Sequence, residues 1–332
     1  MIPIQNKDTF IPNGGKLKTL TLDPFCFMFN SIAMGDVVAA VPVVKHMVEN
    51  YYTEPSSYYV VTKAHFRCLF PFVPDANWRD YDKKDEFWGM PSVLLGLIST
   101  KNSPGVTRLT PKHMHLSQFA SLKLADRILA DKYLNYVPLD TVDLSHLENS
   151  CAINFKNTVV LVTSYRDLTR MWNAEEILKV AKWLQSKGIT PVFVGKTDME
   201  KDIREGIIPK SALPEDISEY GLDLRNKTSI PELASIFKQA KAVCGLDSGP
   251  IHLAGTTSIP IICGYTSISP EHRIPHRLEG KTYPIVPEME CISCESRWRT
   301  NFHNFENCYF GHADCCKLMT ANRFINVLET IL

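Results

Sequence analysis

Lys241-Ala-Val-Cys-Gly-Leu-Asp-Ser-Gly-Pro-Ile-His-Leu-Ala-Gly-Thr-Thr-Ser-Ile-Pro-Ile-Ile-Cys-Gly264 is the stretch that decides the fold. Its pattern predicts a buried strand at 242–244, a tight turn at 247–250, a helix opening near Ile251 and a second buried strand at 260–263. Gly249 lets the backbone approach a ligand closely, and Pro250 suits the first helical position. The free N–H groups at the helix start would favour an anion such as phosphate. In the alternative interpretation, Asp247 and Ser248 only cap the helix.

Composition bounds what the chain can be. Its 332 residues, 45% of them hydrophobic, are enough for two ordinary cores. Lys plus Arg and Asp plus Glu are 36 each, and residues 1–150 hold 15 of each, so neither half carries a global basic field for nucleic acid. The sequence shows neither a leader pattern nor an apolar run near the roughly 18 residues of a membrane span. We therefore expect a cytoplasmic protein without stable membrane insertion.

The amino-terminal half repeats the strand, glycine turn and helix order. Phe25-Cys-Phe-Met-Phe29 is a continuous apolar run, as in a strand covered on both faces, and a helix with valines on one face follows it. Asp36 stands at the start of that helix, where it is a candidate functional carboxylate or a simple N-cap. Further strands are predicted at 58–61 and 92–98, whereas the charged segment 77–86 reads as a solvated loop.

The second half alternates strands and helices in the same way. Strands are predicted at 158–162 and 191–194, with an amphipathic helix at 174–187 between them. Such alternation argues for an α/β protein with parallel, doubly wound sheets. We place the domain boundary near residue 150, giving one domain at 1–150 and a second at 151–332, with a cysteine-rich tail at 286–318.

Two motifs of this sequence resemble motifs of the ADP-heptose glycosyltransferases, the heptosyltransferase family known as glycosyltransferase family 9. Residues 247–254 resemble its D-[ST]-G-x-x-H-x-A signature, and Gly35-Asp-Val-Val-Ala-Ala-Val-Pro42 resembles its G-D-[VIL]-x-x-x-x-P opening. The resemblance implies a GT-B fold, in which two Rossmann-like domains face a cleft. It also implies that residues 1–150 bind the acceptor and residues 151–332 bind the nucleotide-sugar donor. It implies an inverting transfer of a sugar, best guessed as heptose from ADP-heptose, to an acceptor hydroxyl without a catalytic metal or other cofactor.

The resemblance also assigns roles to residues of this sequence. Asp36 becomes the candidate general base, because an acceptor hydroxyl must lose its proton as the new bond forms. The predicted donor-binding set is Ser164, Arg166, Arg170, Gly195, Asp198, Asp247, Ser248, Gly249, Pro250 and His252. Arg170 stands where the family usually has lysine, and Glu200 remains an alternative to Asp198 for the ribose. His115 is the candidate acceptor-binding residue, with His113 as its neighbour.

Five cysteines crowd into the tail with the spacing C-x2-C-x13-C-x6-C-C. Two close pairs of thiolates can converge on one ion, which favours structural zinc or iron at Cys291, Cys294, Cys308 and Cys315. Cys316 is an alternative to Cys315 as the fourth ligand, and reduced cysteines in a packed lobe are the alternative to a metal. Protein heptosyltransferases with a similar cysteine pattern carry iron there. The resemblance therefore implies that this tail could hold iron as well.

Several alternatives stay open at this point. A nucleotide-sugar epimerase on the same fold and a non-catalytic, metal-stapled assembly protein are the rival functions. The acceptor is a carbohydrate, a protein or a modified base in DNA, of which the neutral charge disfavours DNA. A homo-oligomer is compatible with the sequence.

Overall fold

A computed structural model of the chain describes residues 25–29, 33–82, 92–95, 118, 120–121, 129–165, 168–196, 213–297, 308, 310 and 312–332. The chain divides into two compact units, residues 1–137 and 138–332. In the described ranges, no helix is both long and apolar enough to cross a bilayer.

Unit 1 is built on a parallel sheet in the order β3-β2-β1-β4. Its elements are β1 (Phe25–Phe29), α1 (Met34–Asn50), β2 (Tyr58–Thr62), β3 (Trp78–Asp80) and β4 (Ser92–Leu95). The chain runs from β1 outward on one side and reaches β4 on the other, so the topological switch lies between these two strands. Helix α1 begins where β1 ends, which places its first turn at this switch point.

Helix α1 is buried on nearly all sides from Val37 to Val44, as expected of a helix that is apolar all round. The predicted solvated loop at 77–86 is wrong for Trp78–Asp80, which forms the edge strand β3. Trp78 pairs with Val60 of β2, and the Arg79 guanidinium lies over the Tyr59 ring at 4.5 Å. A three-residue edge strand with charged side chains leaves no hydrophobic alternation to detect.

Unit 2 holds a six-stranded parallel sheet in the order β10-β9-β8-β5-β6-β7. Its strands are β5 (Thr158–Val162), β6 (Thr190–Val194), β7 (Leu222–Asp223), β8 (Ala242–Leu246), β9 (Ile261–Gly264) and β10 (Thr282–Ile285). Its helices are α2 (Ser145–Cys151), α3 (Ala174–Ser186), α4 (Ile230–Gln239), α5 (Gly249–Ala254), α6 (Pro270–Arg273), α7 (Cys294–Arg297), α8 (Asp314–Lys317) and α9 (Ala321–Ile331).

The strand order makes unit 2 a doubly wound Rossmann-like sheet. From β5 the chain proceeds through β6 and β7 on one side, then crosses over to β8, β9 and β10 on the other. The switch point therefore lies between β5 and β8, and ligands of such sheets bind beyond the carboxyl ends of the strands at that point. Here those ends are followed by the segment 163–172 and by the turn 247–250.

Helix α9 closes the core of unit 2 from the far end of the sequence. The indole of Trp172 stacks on the ring of Phe324 at a centroid distance of 4.1 Å and donates its N–H to the carbonyl of Met319 at 3.1 Å. Both aromatic side chains are buried in one cluster with the apolar face of α3. The segment after β5 is thereby anchored to residues about 150 positions later.

The strand, turn, helix and strand predicted around residue 247 are confirmed, with the strands observed as Ala242–Leu246 and Ile261–Gly264. Helix α4 begins with the capping box formed by Ser229 and Glu232. Asn226 has a φ of 59°. Asparagine tolerates this left-handed conformation better than most residues.

Candidate functional site

The turn after β8 holds the most unusual side chains of unit 2. Asp247 is only 5% exposed, and Ser248 follows it as the first flanking residue of α5. The Ser248 side chain makes no capping hydrogen bond, and its buried hydroxyl has no hydrogen-bond partner among the described residues. The capping interpretation of this pair is therefore wrong for Ser248, whose side chain does not bond to the helix.

Asp247 is the centre of a charged cluster. Its Oδ2 lies 3.2 Å from Nη1 of Arg170 and 3.7 Å from Nε of Arg273, and its Oδ1 lies 3.4 Å from Nε2 of His252. Burial alone would raise the pKa of Asp247, but the hydrogen bond from His252 and the charges of both arginines hold it well below its usual range. Asp247 thus serves as a buried counterion rather than as a helix cap.

Two guanidinium groups face the carboxylate of this cluster. Arg170 retains 20% exposure of its side chain, whereas Arg273 is buried. Since β5 and β8 flank the switch point, these two cationic side chains lie where a doubly wound sheet binds its ligand, and they favour an anion.

Arg170 reaches the cluster from a short 3₁₀ turn, Leu168–Arg170, after β5. The Thr169 hydroxyl donates to the Ser267 hydroxyl at 3.3 Å, and the Thr266 hydroxyl donates to the Thr169 carbonyl. These bonds tie the segment after β5 to the loop after β9. Arg166, the other basic residue predicted here, lies outside the described residues.

Arg273 belongs to this cluster. The predicted binding set omitted it, although the sequence places it with His272 beside the loop at 264–270, which resembles a family loop expected to close over the donor. Arg273 ends α6, and its Nη1 also donates to the His272 carbonyl at 3.2 Å. The sequence offered only a weak signal for it, a loop with an altered proline position 26 residues beyond Asp247. Only the fold brings the two side chains together.

Gly195 and Ser164 bring the loops after β6 and β5 into contact. Gly195 has a φ of 127°, and a Cβ at this position would lie 2.7 Å from the Ser164 hydroxyl. The Gly195 carbonyl accepts the N–H of Asn226 at 3.0 Å. Both predicted residues therefore lie at the carboxyl edge of the sheet. At position 195, only glycine fits against Ser164. Asp198 and Glu200 lie outside the described residues.

The candidate base Asp36 belongs to unit 1. It occupies the first turn of α1, is half-buried, and its N–H donates to the Ala33 carbonyl at 3.1 Å. Ala33 is the capping residue, so the N-cap interpretation of Asp36 is wrong. The carboxylate lies at the switch point between β1 and β4. His113 and His115 fall outside the described residues.

The cysteine tail gathers its thiols without forming a ligand set. Burial raises the pKa of Cys294 to about 12, and the proximity of Glu295 and of the other tail thiols Cys308, Cys315 and Cys291 adds to the effect. The thiols therefore lie within electrostatic range of one another. Among the described residues, no three His, Cys, Asp or Glu side chains are placed to hold one ion. The Cys291 sulfur lies 4.0 Å from Nε2 of His312.

The two parallel, doubly wound sheets, each with polar side chains at its switch point, define an α/β protein of the GT-B class. The family model "Glycosyltransferase family 9 (heptosyltransferase)" matches residues 117–304, more than half of the chain. The chain belongs to this glycosyltransferase family.

Individual relatives agree with that assignment. Lipooligosaccharide heptosyltransferase 2 of Haemophilus influenzae is 29% identical over 106 residues, which cover 32% of this chain and 30% of that protein. The aligned part thus spans less than a third of the relative's length.

Solved structures extend the likeness to nearly the whole chain. The iron-containing dodecameric glycosyltransferase TibC from enterotoxigenic E. coli H10407 has a TM-score of 0.71 at 17% identity, covering 95% of this chain and 78% of that one. E. coli ADP-heptose lps heptosyltransferase II has a TM-score of 0.62 at 14% identity, covering 92% and 98%. At these identities the likeness establishes the fold.

Proposed function

We propose that the chain transfers a sugar, with heptose from ADP-heptose as the preferred donor, to an acceptor hydroxyl. The observation that carries this proposal is the cluster of Arg170, Arg273 and His252 around buried Asp247, beside the Ser248 hydroxyl, which has no partner among the described residues. It stands at the switch point of a sheet that binds nucleotides in this class of fold. A TibC structure was solved in complex with ADP-D-beta-D-heptose, which supports the choice of donor.

The cluster fits a nucleotide diphosphate better than a neutral ligand. The diphosphate of a nucleotide sugar carries about two negative charges, and charge accumulates on it as the glycosidic bond breaks. Arg170 retains a partly exposed face, and Ser248 supplies a hydroxyl donor, with Gly249 and Pro250 next to it. Because Asp247 fixes both guanidinium groups before the ligand arrives, little reorganisation is needed during reaction.

Asp36 is the proposed general base of an inverting transfer. Its carboxylate would take the acceptor proton while the acceptor oxygen attacks the anomeric carbon, and the nucleoside diphosphate leaves with the bonding electrons. This one-step displacement needs no covalent enzyme intermediate and no catalytic metal. The position of Asp36 in the first turn of α1, the helix that follows β1, supports this role. His115 is the proposed acceptor contact.

The deciding experiment is a thermal-shift screen against ADP, UDP, GDP and CMP. A ligand at about a hundred times its Kd stabilises the folded state by roughly 2.7 kcal/mol, which is readily measured. We expect ADP to give the largest shift, and Ser248→Ala to reduce it without changing the Tm of the free protein. Stabilisation by UDP alone would support a nucleotide site but exclude ADP-heptose as the donor.

Ser186→Ala is the matched control for this screen. Ser186 is the last residue of helix α3, and its exposed hydroxyl donates to the Trp183 carbonyl at 2.6 Å. Its loss should leave the ADP shift unchanged. If none of the four nucleotides shifts the Tm of the wild type, the transferase proposal fails and the non-catalytic assembly protein gains support. A nucleotide-sugar epimerase would instead consume donor without acceptor.

A structural metal at the cysteine tail is a separate part of the proposal. Thiolates of Cys291, Cys294, Cys308 and Cys315 would hold zinc or iron if the tail rearranged, because the described side chains do not yet converge. Cys316 remains an alternative to Cys315 as the fourth ligand. We further propose a cytoplasmic protein, compatible with a homo-oligomer, whose acceptor is a lipopolysaccharide core sugar, a protein hydroxyl or a modified DNA base.

A further inference from the structure

The cysteine-rich turn at residues 291–296 is bonded to the loop that follows β9. The Ser293 N–H donates to the Thr266 carbonyl at 2.8 Å, and the Glu295 N–H donates to the Ser267 carbonyl at 2.9 Å. The same loop is held by Thr169 on its other side. The loop thus lies between the segment that carries Arg170 and the turn that carries two of the cysteines.

One side chain of this turn contacts both ends of helix α6. The Ser296 hydroxyl oxygen accepts the N–H of Ser269 at 3.0 Å, at the residue that precedes the helix. The same oxygen lies 3.1 Å from Nδ1 of His272, in the last turn. A four-residue helix has little stability of its own, since helix nucleation is costly. Its placement therefore depends on such outside contacts.

Helix α6 in turn places Arg273 in the charged cluster. Arg273 is its final residue, is buried, and lies 3.7 Å from the Asp247 carboxylate. The contacts from Ser296 to α6 and from Arg273 to Asp247 are continuous through one short helix. A shift of α6 would move a guanidinium at the proposed donor site.

We infer that Ser296 is a positioning residue for donor binding, acting through α6 and Arg273. This inference rests on the proposed function, because it gives the cysteine-rich turn a role at the nucleotide site. The residue need not touch the donor. Its hydroxyl fixes the position of a positive charge that the diphosphate meets.

Loss of the hydroxyl should weaken binding of the nucleoside diphosphate more than it slows turnover. Two hydrogen bonds to α6 would be lost, each of modest net strength. We expect Ser296→Ala to raise the Kd of ADP and the donor KM about tenfold, with kcat changed less than about threefold. A purely structural role would lower the Tm but leave the Kd unchanged at temperatures where the protein is folded.

The experiment is ADP titration by calorimetry of the full chain, well below the Tm, with steady-state kinetics beside it. Ser296→Thr retains the hydroxyl and should restore wild-type Kd. Ser293→Gly is the matched control in the same turn, because Ser293 has a φ of 57° that glycine adopts freely and keeps its backbone N–H. Its Kd should stay within about twofold of wild type.

The outcomes separate this inference from the proposed function. A wild type that binds no nucleotide refutes the function, whatever the variants do. A wild type that binds ADP together with a Ser296→Ala variant of equal Kd refutes the positioning role alone, and so does an equal loss in Ser293→Gly. If Ser296→Ala fails to fold, His272→Ala replaces it in the test, because it removes one of the two contacts. An unchanged Kd of ADP in that variant overturns the inference.

Discussion

Replacing Asp247 by asparagine should destabilise unit 2 strongly although it preserves the shape of the side chain. The substitution removes the carboxylate charge that faces Arg170 at 3.2 Å and Arg273 at 3.7 Å. Removing one partner of a buried ion pair typically costs about 3–5 kcal/mol, because the remaining charge stays buried. Arg170 is 20% exposed and regains some hydration, so we expect the lower end, about 3 kcal/mol.

Urea denaturation at pH 7 measures this loss. With an m-value of about 2 kcal/mol/M, a loss of about 3 kcal/mol lowers the midpoint by about 1.5 M. Lys179→Gln is the control, because it removes a shorter but exposed ion pair, 2.5 Å from Lys179 to Glu176. Surface pairs contribute little, so its midpoint should not shift measurably.

The pH dependence tests the cause of the effect. The pKa of Asp247 is lower in the folded protein than in the unfolded chain, where it is about 3.9. Its stabilising contribution is therefore complete above that pH and is lost as the pH falls toward the folded value. The difference between wild type and Asp247→Asn should be constant between about pH 5 and 8 and should shrink below about pH 4. A variant with the wild-type midpoint at pH 7 would refute the counterion role.

Three further predictions follow from the site and its supports. Asp36→Asn should lower kcat at least about a hundredfold while the Kd of ADP stays within about twofold, and unchanged turnover in a donor-hydrolysis or transfer assay would exclude Asp36 as base. Gly264→Ala should cost about 1–3 kcal/mol in urea denaturation, because its Cβ would lie 2.3 Å from Leu246 and 2.9 Å from the Met319 sulfur; a wild-type midpoint would show that the two side chains relax freely. Elemental analysis of the protein purified without chelator should find about one zinc or iron per chain, lost in Cys308→Ser, and a metal-free wild type would favour the packed-thiol alternative.

The local part of the donor site could be predicted from sequence. Residue types alone placed the strand, the turn and the helix around residue 247, because buried strands are apolar and Gly249 and Pro250 have narrow conformational preferences. The same reasoning placed Asp36 in the first turn of its helix. It did not distinguish the capping residue, Ala33, from the residue three positions later.

The partners of Asp247 could not be predicted in this way. Arg170 lies 77 residues before it, and Arg273 approaches from a loop on the other side of β9. Both contacts depend on which strands are neighbours, and local sequence patterns carry no such information. The family motif pointed to Arg170 as a phosphate ligand, whereas the structure pairs its guanidinium with a buried carboxylate. Arg170 thus keeps the positive charge of the family's lysine, but its nearest partner is the protein's own Asp247.

The contact between Trp172 and residues 319–324 bears on how the protein is made. The core of unit 2 needs Phe324 and Leu328 to cover the segment after β5, and these residues are synthesised about 150 positions after Trp172. During translation, the apolar face of α3 therefore remains open although all six strands of the sheet have already been produced. Nascent chains with such exposed surface are prone to aggregate and to bind chaperones. A stop codon or a protease cut shortly before residue 321 would leave the apolar face of α3 permanently exposed. Such a truncated chain should aggregate or remain bound to chaperones.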